Sequence, residues 1–194
     1  MSGTKLSVAP VQEPITLAEA KAHCRVDITT DDAYIADLIR AAREWCEAHD
    51  WRAYLTQTWE FWLDGWPGGS AIVLPKPPLA SVSKLEYYGT DDTKYTLAAS
   101  VYAADVISVP GIVHLKYNQV WPTETQLRPY NPICVTFVAG WTNPAEVPRR
   151  IKQAMLLLVG HWYENRENVL VGTISKSLEF GVTSLLGVNR ANLF

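Results

Sequence analysis

The sequence predicts an α+β protein: a small helical bundle of three main helices, an inserted antiparallel β domain and an extended C-terminal tail. Three observations carry this expectation. Apolar residues recur at helical spacing in two separated stretches, one before residue 54 and one after residue 143. Between them lie short alternating runs rich in β-branched and aromatic residues, punctuated by Gly and Pro. The chain has 194 residues, close to the roughly 150 of one ordinary domain, so the helices are expected to share a core. They can share it only if the strands form an excursion that leaves and returns. The expected divisions are a flexible arm at 1–13, a first helical part at 14–54, the β insertion at 55–142, a second helical part with the central helix at 143–171, and a tail at 172–194.

Residues 1–13 are polar with one proline, as mobile arms are. Thr16-Leu17-Ala18-Glu19 fits a capping box, in which side chains at both ends of the turn satisfy orphan N–H groups. A short helix follows to about Cys24, and residues 25–30 form a link. From Asp31 to about His49 a second helix carries the apolar stripe Tyr34, Ile35, Leu38, Ile39, Ala42, Trp45 and Cys46. Asp32, Asp37, Arg40, Arg43, Glu44 and Glu47 fall on its polar side.

Thr56 to Leu63 alternates, which sets Trp59 and Phe61 on one face and Trp62 on the other. Residues 64–70 read as a turn, and Ile72 to Leu74 as a short strand stopped by Pro75, Pro77 and Pro78. Val82 to Tyr88 is the next strand. Residues 101–109 and 112–117 form a hairpin around Pro110-Gly111, where Pro fixes φ and Gly tolerates positive φ. Asn118 to Asn131 is longer than most loops, which marks it as functional. Ile133 to Val138 is the last strand. Pro148 suits the first position of a third helix, reaching about Asn165. Its run Ala154 to Val159 is apolar on every side, so that helix is expected at the centre. Residues 166–194 show no period.

Composition narrows the function. Charged residues make up 19% and apolar residues 48%, against about 25% charged in an ordinary domain, which argues against disorder. The net charge of −3 argues against a dedicated nucleic-acid binder. Cys24, Cys46 and Cys134 are odd in number and form no C-x-x-C pair, so neither a disulfide framework nor a zinc ribbon is expected. They read as small buried hydrophobes from a reducing compartment. No apolar run approaches the ~18 residues of a membrane span, and the first ten residues do not read as a signal peptide. A soluble protein made in a cytosol is expected.

Catalytic constellations are weak. His161 and Glu164 lie one helical turn apart, but two further ligands at matching spacing are absent. Asp31-Asp32 suits a helix start and Asp91-Asp92 a turn. No catalytic residue, metal or cofactor is predicted, and the chain is not expected to be an enzyme. The 8 Trp and 9 Tyr suggest surfaces buried by other molecules. Trp59, Trp62, Trp66 and Trp121 read as sheet core plus a subunit or tail interface. The alternative is a carbohydrate-binding module stacking sugars on these rings. Arg149 and Arg150 sit where a helix dipole disfavours cations, which suits either plain solvation or an acidic partner surface.

Three groups of residues resemble a known family. The first is Glu13 to Lys21 with Asp31-Asp32-Ala33-Tyr34-Ile35 and Ile39 to Glu44. The second is Ala139-Gly140-Trp141, a short loop to Pro148, the apolar helix, then His161 to Glu167. The third is Gly181-Val182 with Ser184-Leu185-Leu186. In this order they resemble the head–tail connector (adaptor) proteins of long-tailed double-stranded DNA phages, prophages and gene transfer agents. His49-Asp50-Trp51-Arg52 departs from the Thr-Gly-Arg turn more usual there.

The resemblance implies a structural protein at the head–tail junction of a virion, assembled in a bacterial cytoplasm. It implies a homo-oligomeric ring, dodecameric in relatives, below the portal protein. That ring extends the DNA channel and docks a stopper or tail-completion protein; DNA passes without specific binding, and no membrane is involved. Under this reading Leu185, Leu186, Val188, Arg190, Leu193 and Phe194 are the portal-binding candidates. Arg149, Arg150, Trp62, Trp66, Trp121, Arg166 and Glu167 are the candidates for subunit or tail interfaces.

Overall fold

The computed structural model describes residues 2–166 and 176–187, with side chains of the latter segment from residue 181 onward. The fold is α+β. The described chain divides into two compact units, one from residues 2–10 and 56–140, the other from residues 11–55, 141–166 and 176–187.

The second unit is helical. Its first helix, α1 (Leu17–Cys24), starts on the expected capping box: Thr16 Oγ1 accepts from Glu19 N at 3.1 Å, and Thr16 N donates to Glu19 Oε2 at 2.7 Å. Then follow α2 (Asp32–Asp50), α3 (Arg149–Glu164) and α4 (Lys176–Gly187). Helix α3 packs on all three others, the central place its all-round apolar sequence requires. Ile35, Ile39, Ala42 and Cys46 of α2 meet Ile151, Ala154, Met155, Leu158 and Val159 of α3, all buried. Each large aliphatic side chain here gains about 1.5–3 kcal/mol from leaving water.

Three features of this unit differ from expectation. The tail is not without structure: α4 occupies Lys176–Gly187, and Val182 and Leu186 are fully buried in the helical core. Gly181 and Gly187 had masked its period. Arg43 and Glu47 are not on a solvated face; their side chains are 5% and 9% exposed. Trp45 lies only partly buried, its ring stacked on His49 at 5.5 Å. Helix α2 ends on Trp51 in the left-handed conformation, at φ 58°. Tryptophan thus takes the backbone shape that glycine favours, which keeps the turn despite the departing sequence.

The other unit holds two antiparallel sheets. The larger has the order β1-β2-β8-β4-β5, from β1 (Ser2–Val8), β2 (Gln57–Leu63), β4 (Leu79–Tyr88), β5 (Lys94–Thr96) and β8 (Ile133–Ala139). The smaller has the order β3-β7-β6, from β3 (Ala71–Val73), β6 (Tyr102–Asp105) and β7 (Ile112–Leu115). The N-terminal residues therefore do not form a free arm. Ser2 to Leu6 pair with Leu63 to Trp59, so backbone hydrogen bonding orders a segment whose side chains are all exposed. Side-chain burial, the property that sequence pattern reports, contributes nothing to that strand.

The register sorts the larger sheet into two faces. Trp59, Phe61, Phe137, Val135, Leu85 and Tyr87 share one; Glu60, Trp62, Cys134, Thr136, Glu86 and Tyr88 share the other. Phe137, Val135 and Leu85 are fully buried, and so is Val113 of the smaller sheet. Gly111 marks a close approach: a Cβ there would lie 2.4 Å from Leu79 Cβ, so no other residue fits without displacing β4.

Candidate functional site

The predicted site residues fall in separate places. At the end of α3, Arg166 Nη2 donates to Asp31 Oδ2 at 2.6 Å, and the Tyr163 hydroxyl donates to the same oxygen at 2.6 Å. The guanidinium lies 4.9 Å from the Tyr34 ring and 4.6 Å from the Tyr163 ring. The Tyr163 hydroxyl, then Arg166, hold the Asp31 carboxyl below the usual carboxylate range. Arg166 is thus engaged inside its own unit. It ties the end of α3 to the start of α2.

At the start of α3, Arg149 is exposed and Arg150 half-buried. No acidic residue stands in that first turn. Burial lowers the pKa of neighbouring Arg52, Asp50 opposes this, and repulsion from Arg150 adds to it. Beside them Asp50 is fully buried; burial raises its pKa, while the Tyr54 hydroxyl donates to Oδ2 at 2.8 Å.

Deeper in the helical unit, Arg43 binds Glu13 and Glu47, each at 2.8 Å, and Glu47 Oε1 accepts from Tyr54 N at 2.7 Å. Burial opposes the Arg43 charge, but the two carboxylates outweigh it and the guanidinium stays ionised. This network was missed in the sequence, where Arg43 and Glu47 look like an ordinary i,i+4 surface pair.

In the β unit, the tryptophans serve each other. Trp66 stacks on Trp121 at 5.0 Å and 8° and meets Tyr87 edge-on at 5.6 Å; Tyr87 stacks on Tyr95 at 5.2 Å. Trp121 is buried, and its indole donates to Gly69 O at 2.8 Å. It therefore anchors the long loop and offers no outward face, which corrects its place among the interface candidates. On the opposite face Trp62 stacks on Tyr88 at 6.0 Å and donates to Glu60 Oε2 at 3.2 Å. Arg128 lies 4.1 Å from the Tyr88 ring and donates to the carbonyls of Tyr130 and Asn131. Rings whose faces are already taken by other rings make a poor sugar platform.

Of the C-terminal candidates, Leu186 is buried in the helical core and Leu185 packs partly against it. Val188, Arg190, Leu193, Phe194 and Glu167 lie outside the described residues. Among the described residues no cluster of three or more His, Cys, Asp or Glu could hold a metal ion. Burial raises the Cys46 thiol far up and Cys134 to about 11, so both stay protonated and inert as nucleophiles. No helix among the described residues is long and apolar enough to cross a membrane.

Among the exposed large apolar residues, two groups cluster in loops. Val106, Ile107 and Val109 at the tip between β6 and β7 are exposed, as are Tyr117, Val120 and Tyr130 in the loop after β7. The length of the 118–131 loop signalled Val120 and Tyr130 in the sequence; nothing signalled Tyr117, read there as the end of a strand, or the first group.

Comparison with known proteins adds to this. Residues 14–68 match the family model of the phage gp6-like head-tail connector protein. No curated relative matches the chain. Among solved structures, a chain from the virion of a native gene transfer agent particle is 22% identical with a TM-score of 0.77, covering 97% of this chain and 95% of that one. A chain from the neck of an empty particle computed with C6 symmetry is 21% identical at 0.75, with the same coverage. One from the neck of a native particle computed with C12 symmetry is 23% identical at 0.71, covering 98% and 95%. The chain thus resembles the head–tail connectors: it matches their family model over α1, α2 and β2, and over nearly its whole length it has the fold of a chain from gene transfer agent particles.

Proposed function

We propose that this chain is a structural head–tail connector of the virion neck. It assembles in the bacterial cytoplasm into a ring below the portal protein, extends the DNA channel and docks the next stopper or tail-completion component. The observation that carries this reading is the coincidence of two independent likenesses. The segment 14–68 matches head–tail connectors by sequence, and the fold matches chains from particle necks from end to end. The C12 symmetry of one of those necks supports a ring of twelve here, with which the C6 symmetry of the other is compatible. A heterologous contact closed by rotation gives such a ring, and its repetition supplies avidity without a strong single site. The net charge of −3, a sum over all surfaces, agrees with a lumen to which DNA does not stick. No step of this role requires catalysis or a cofactor. The sugar-binding alternative loses its support, because Trp66 and Trp121 cover one another and Trp62 is covered by Tyr88.

Electron cryomicroscopy of particles produced with this chain tests the reading. The expected result is a twelvefold ring between portal and tail into which the fold fits. Particles whose neck lacks the chain would refute it. The portal contact has a separate test. Deleting 172–194 would strip Val182 and Leu186 from the helical core, so the cleaner truncation removes only 188–194. That variant is expected to melt like wild type and to fail in a portal pull-down. Undiminished capture would move the portal contact elsewhere on the chain.

A further inference from the structure

The hairpin of β6 and β7 carries exposed apolar residues at both of its ends. Its register runs from Tyr102 opposite Leu115 to Asp105 opposite Ile112. Beyond Asp105 lies the tip, where Val106, Ile107 and Val109 are 45%, 90% and 56% exposed. Beyond Leu115 lies the other end, where Tyr117 and Val120 are 99% and 77% exposed. Three strand steps, about 10 Å, part the two ends, so they cannot meet within one molecule.

Both ends are held in shape. Asp105 Oδ1 accepts from Ile107 N at 2.9 Å and Ser108 N at 3.1 Å, while Ser108 Oγ donates to Oδ2. At the far end Lys116 N donates to Val101 O at 2.9 Å, Lys116 Nζ to Ala99 O at 3.1 Å, and Gln119 N closes a turn onto Lys116 O at 3.1 Å. Scattered exposed aliphatics are ordinary, but three in four consecutive residues on a fixed turn present a formed surface. A surface already ordered loses little entropy on binding. The flanking charges are complementary: Asp105 borders the tip and Lys116 borders the far end.

The geometry points to a head-to-tail contact between copies of this chain, in which the Val106–Val109 tip of one seats against Tyr117 and Val120 of the next. Two different patches are what a cyclic ring needs, since a self-complementary patch closes as a dimer. This contact rests on the connector reading and names the surfaces that join its ring.

The test uses assembled particles carrying the paired substitutions Ile107→Cys and Val120→Cys. Cys46 and Cys134 are buried, and the partly exposed Cys24 is replaced in every variant by Cys24→Ser, which keeps the background low. Mild oxidation is expected to give a ladder of covalent multimers, with each single substitution remaining a monomer. Particles that hold the chain in a ring and yield no ladder overturn the contact while leaving the connector reading intact. Cross-linking of position 107 to a different neck protein overturns it in favour of an axial partner. Particles without the chain overturn both. As a second arm, Ile107→Asp, at a site 90% exposed, is expected to leave melting unchanged and lower incorporation about tenfold or more. Undiminished incorporation counts against the contact.

Discussion

The two units solve the same problem with different chemistry. In the helical unit the polar interior is built on the ion-pair network Glu13–Arg43–Glu47, joined to the backbone of Tyr54, whose hydroxyl in turn donates to the buried Asp50. The β unit also pairs a buried carboxylate, Glu86, with Lys84 and Lys94 at 3.0 Å each, but both lysines stand half-exposed, and the other face of that sheet carries a pile of rings, Trp121–Trp66–Tyr87–Tyr95, with one indole hydrogen bond. A charge network is directional, and loss of one member strands the others in a poor solvent. Stacked rings bind through area and broad quadrupolar preference, so a different ring can serve. The contrast teaches where substitutions should be tolerated.

The sharpest way to break this comparison is Arg43→Ala. It leaves Glu47, 9% exposed, without its cation, and is expected to cost about 3–5 kcal/mol in urea unfolding. Arg40→Ala, on an exposed ion pair with Asp37 on the same helix, should stay within about 0.5 kcal/mol. A loss at Arg43 no larger than at Arg40 would show the network to be dispensable.

Trp45→Ala probes the same helix without charge. A fully buried Trp truncation costs about 3–5 kcal/mol, but this ring is half-exposed and lies on His49, so about 2 kcal/mol is expected. A loss as large as at Arg43 would mean that ring packing, and not the ion network, dominates this unit as well.

These two residues also show what the sequence could reveal. The stripe Ile35-Ile39-Ala42-Cys46 announces its burial because 3.6-residue spacing is a direct record of which side faces the core. Arg43 and Glu47 are misread because their covering comes from Glu13 and Tyr54, outside the helix, which no periodicity encodes. The strands β2, β4, β6, β7 and β8 are legible from alternation and turn residues. Strand β1 is not, since it is ordered by backbone pairing with exposed side chains. Helix α4 is hidden by its glycines and by borrowing its core from α3. Among the candidate site residues, Arg166 enters through the resemblance and Trp121 through the high aromatic content. The structure engages both internally, and the exposed apolar tip at Val106–Val109 carries no local signal at all.

A smaller effect tests the forgiving character of the rings. Trp121→Phe keeps a ring against Trp66 but removes the N–H that Gly69 O accepts. The expected cost is about 1–2 kcal/mol, mostly from the orphaned carbonyl and the smaller stacking area. Indole fluorescence of the remaining tryptophans should shift little. A collapse of the fold would show that the stack is as exacting as the ion network.

The smallest effect belongs to the clamp at the end of α3, and it has a definite sign. Tyr163 and Arg166 hydrogen-bond the ionised form of Asp31 and depress its folded-state pKa below the ordinary value. A depressed carboxyl contributes stability that is fully present above the unfolded-state value, about 3.9, and is lost as pH falls through the folded-state value. Arg166→Ala removes one of the two donors, so the Asp31 titration followed by carbon-detected NMR should move upward, toward the ordinary range, without reaching it while Tyr163 still donates. The stability gap between wild type and variant should narrow as the solution is acidified. What survives in strong acid measures the stacking of the guanidinium on Tyr34 and Tyr163, which does not titrate. A gap independent of pH would assign the whole clamp to the rings, and the helical unit would then share the β unit's chemistry at this one corner.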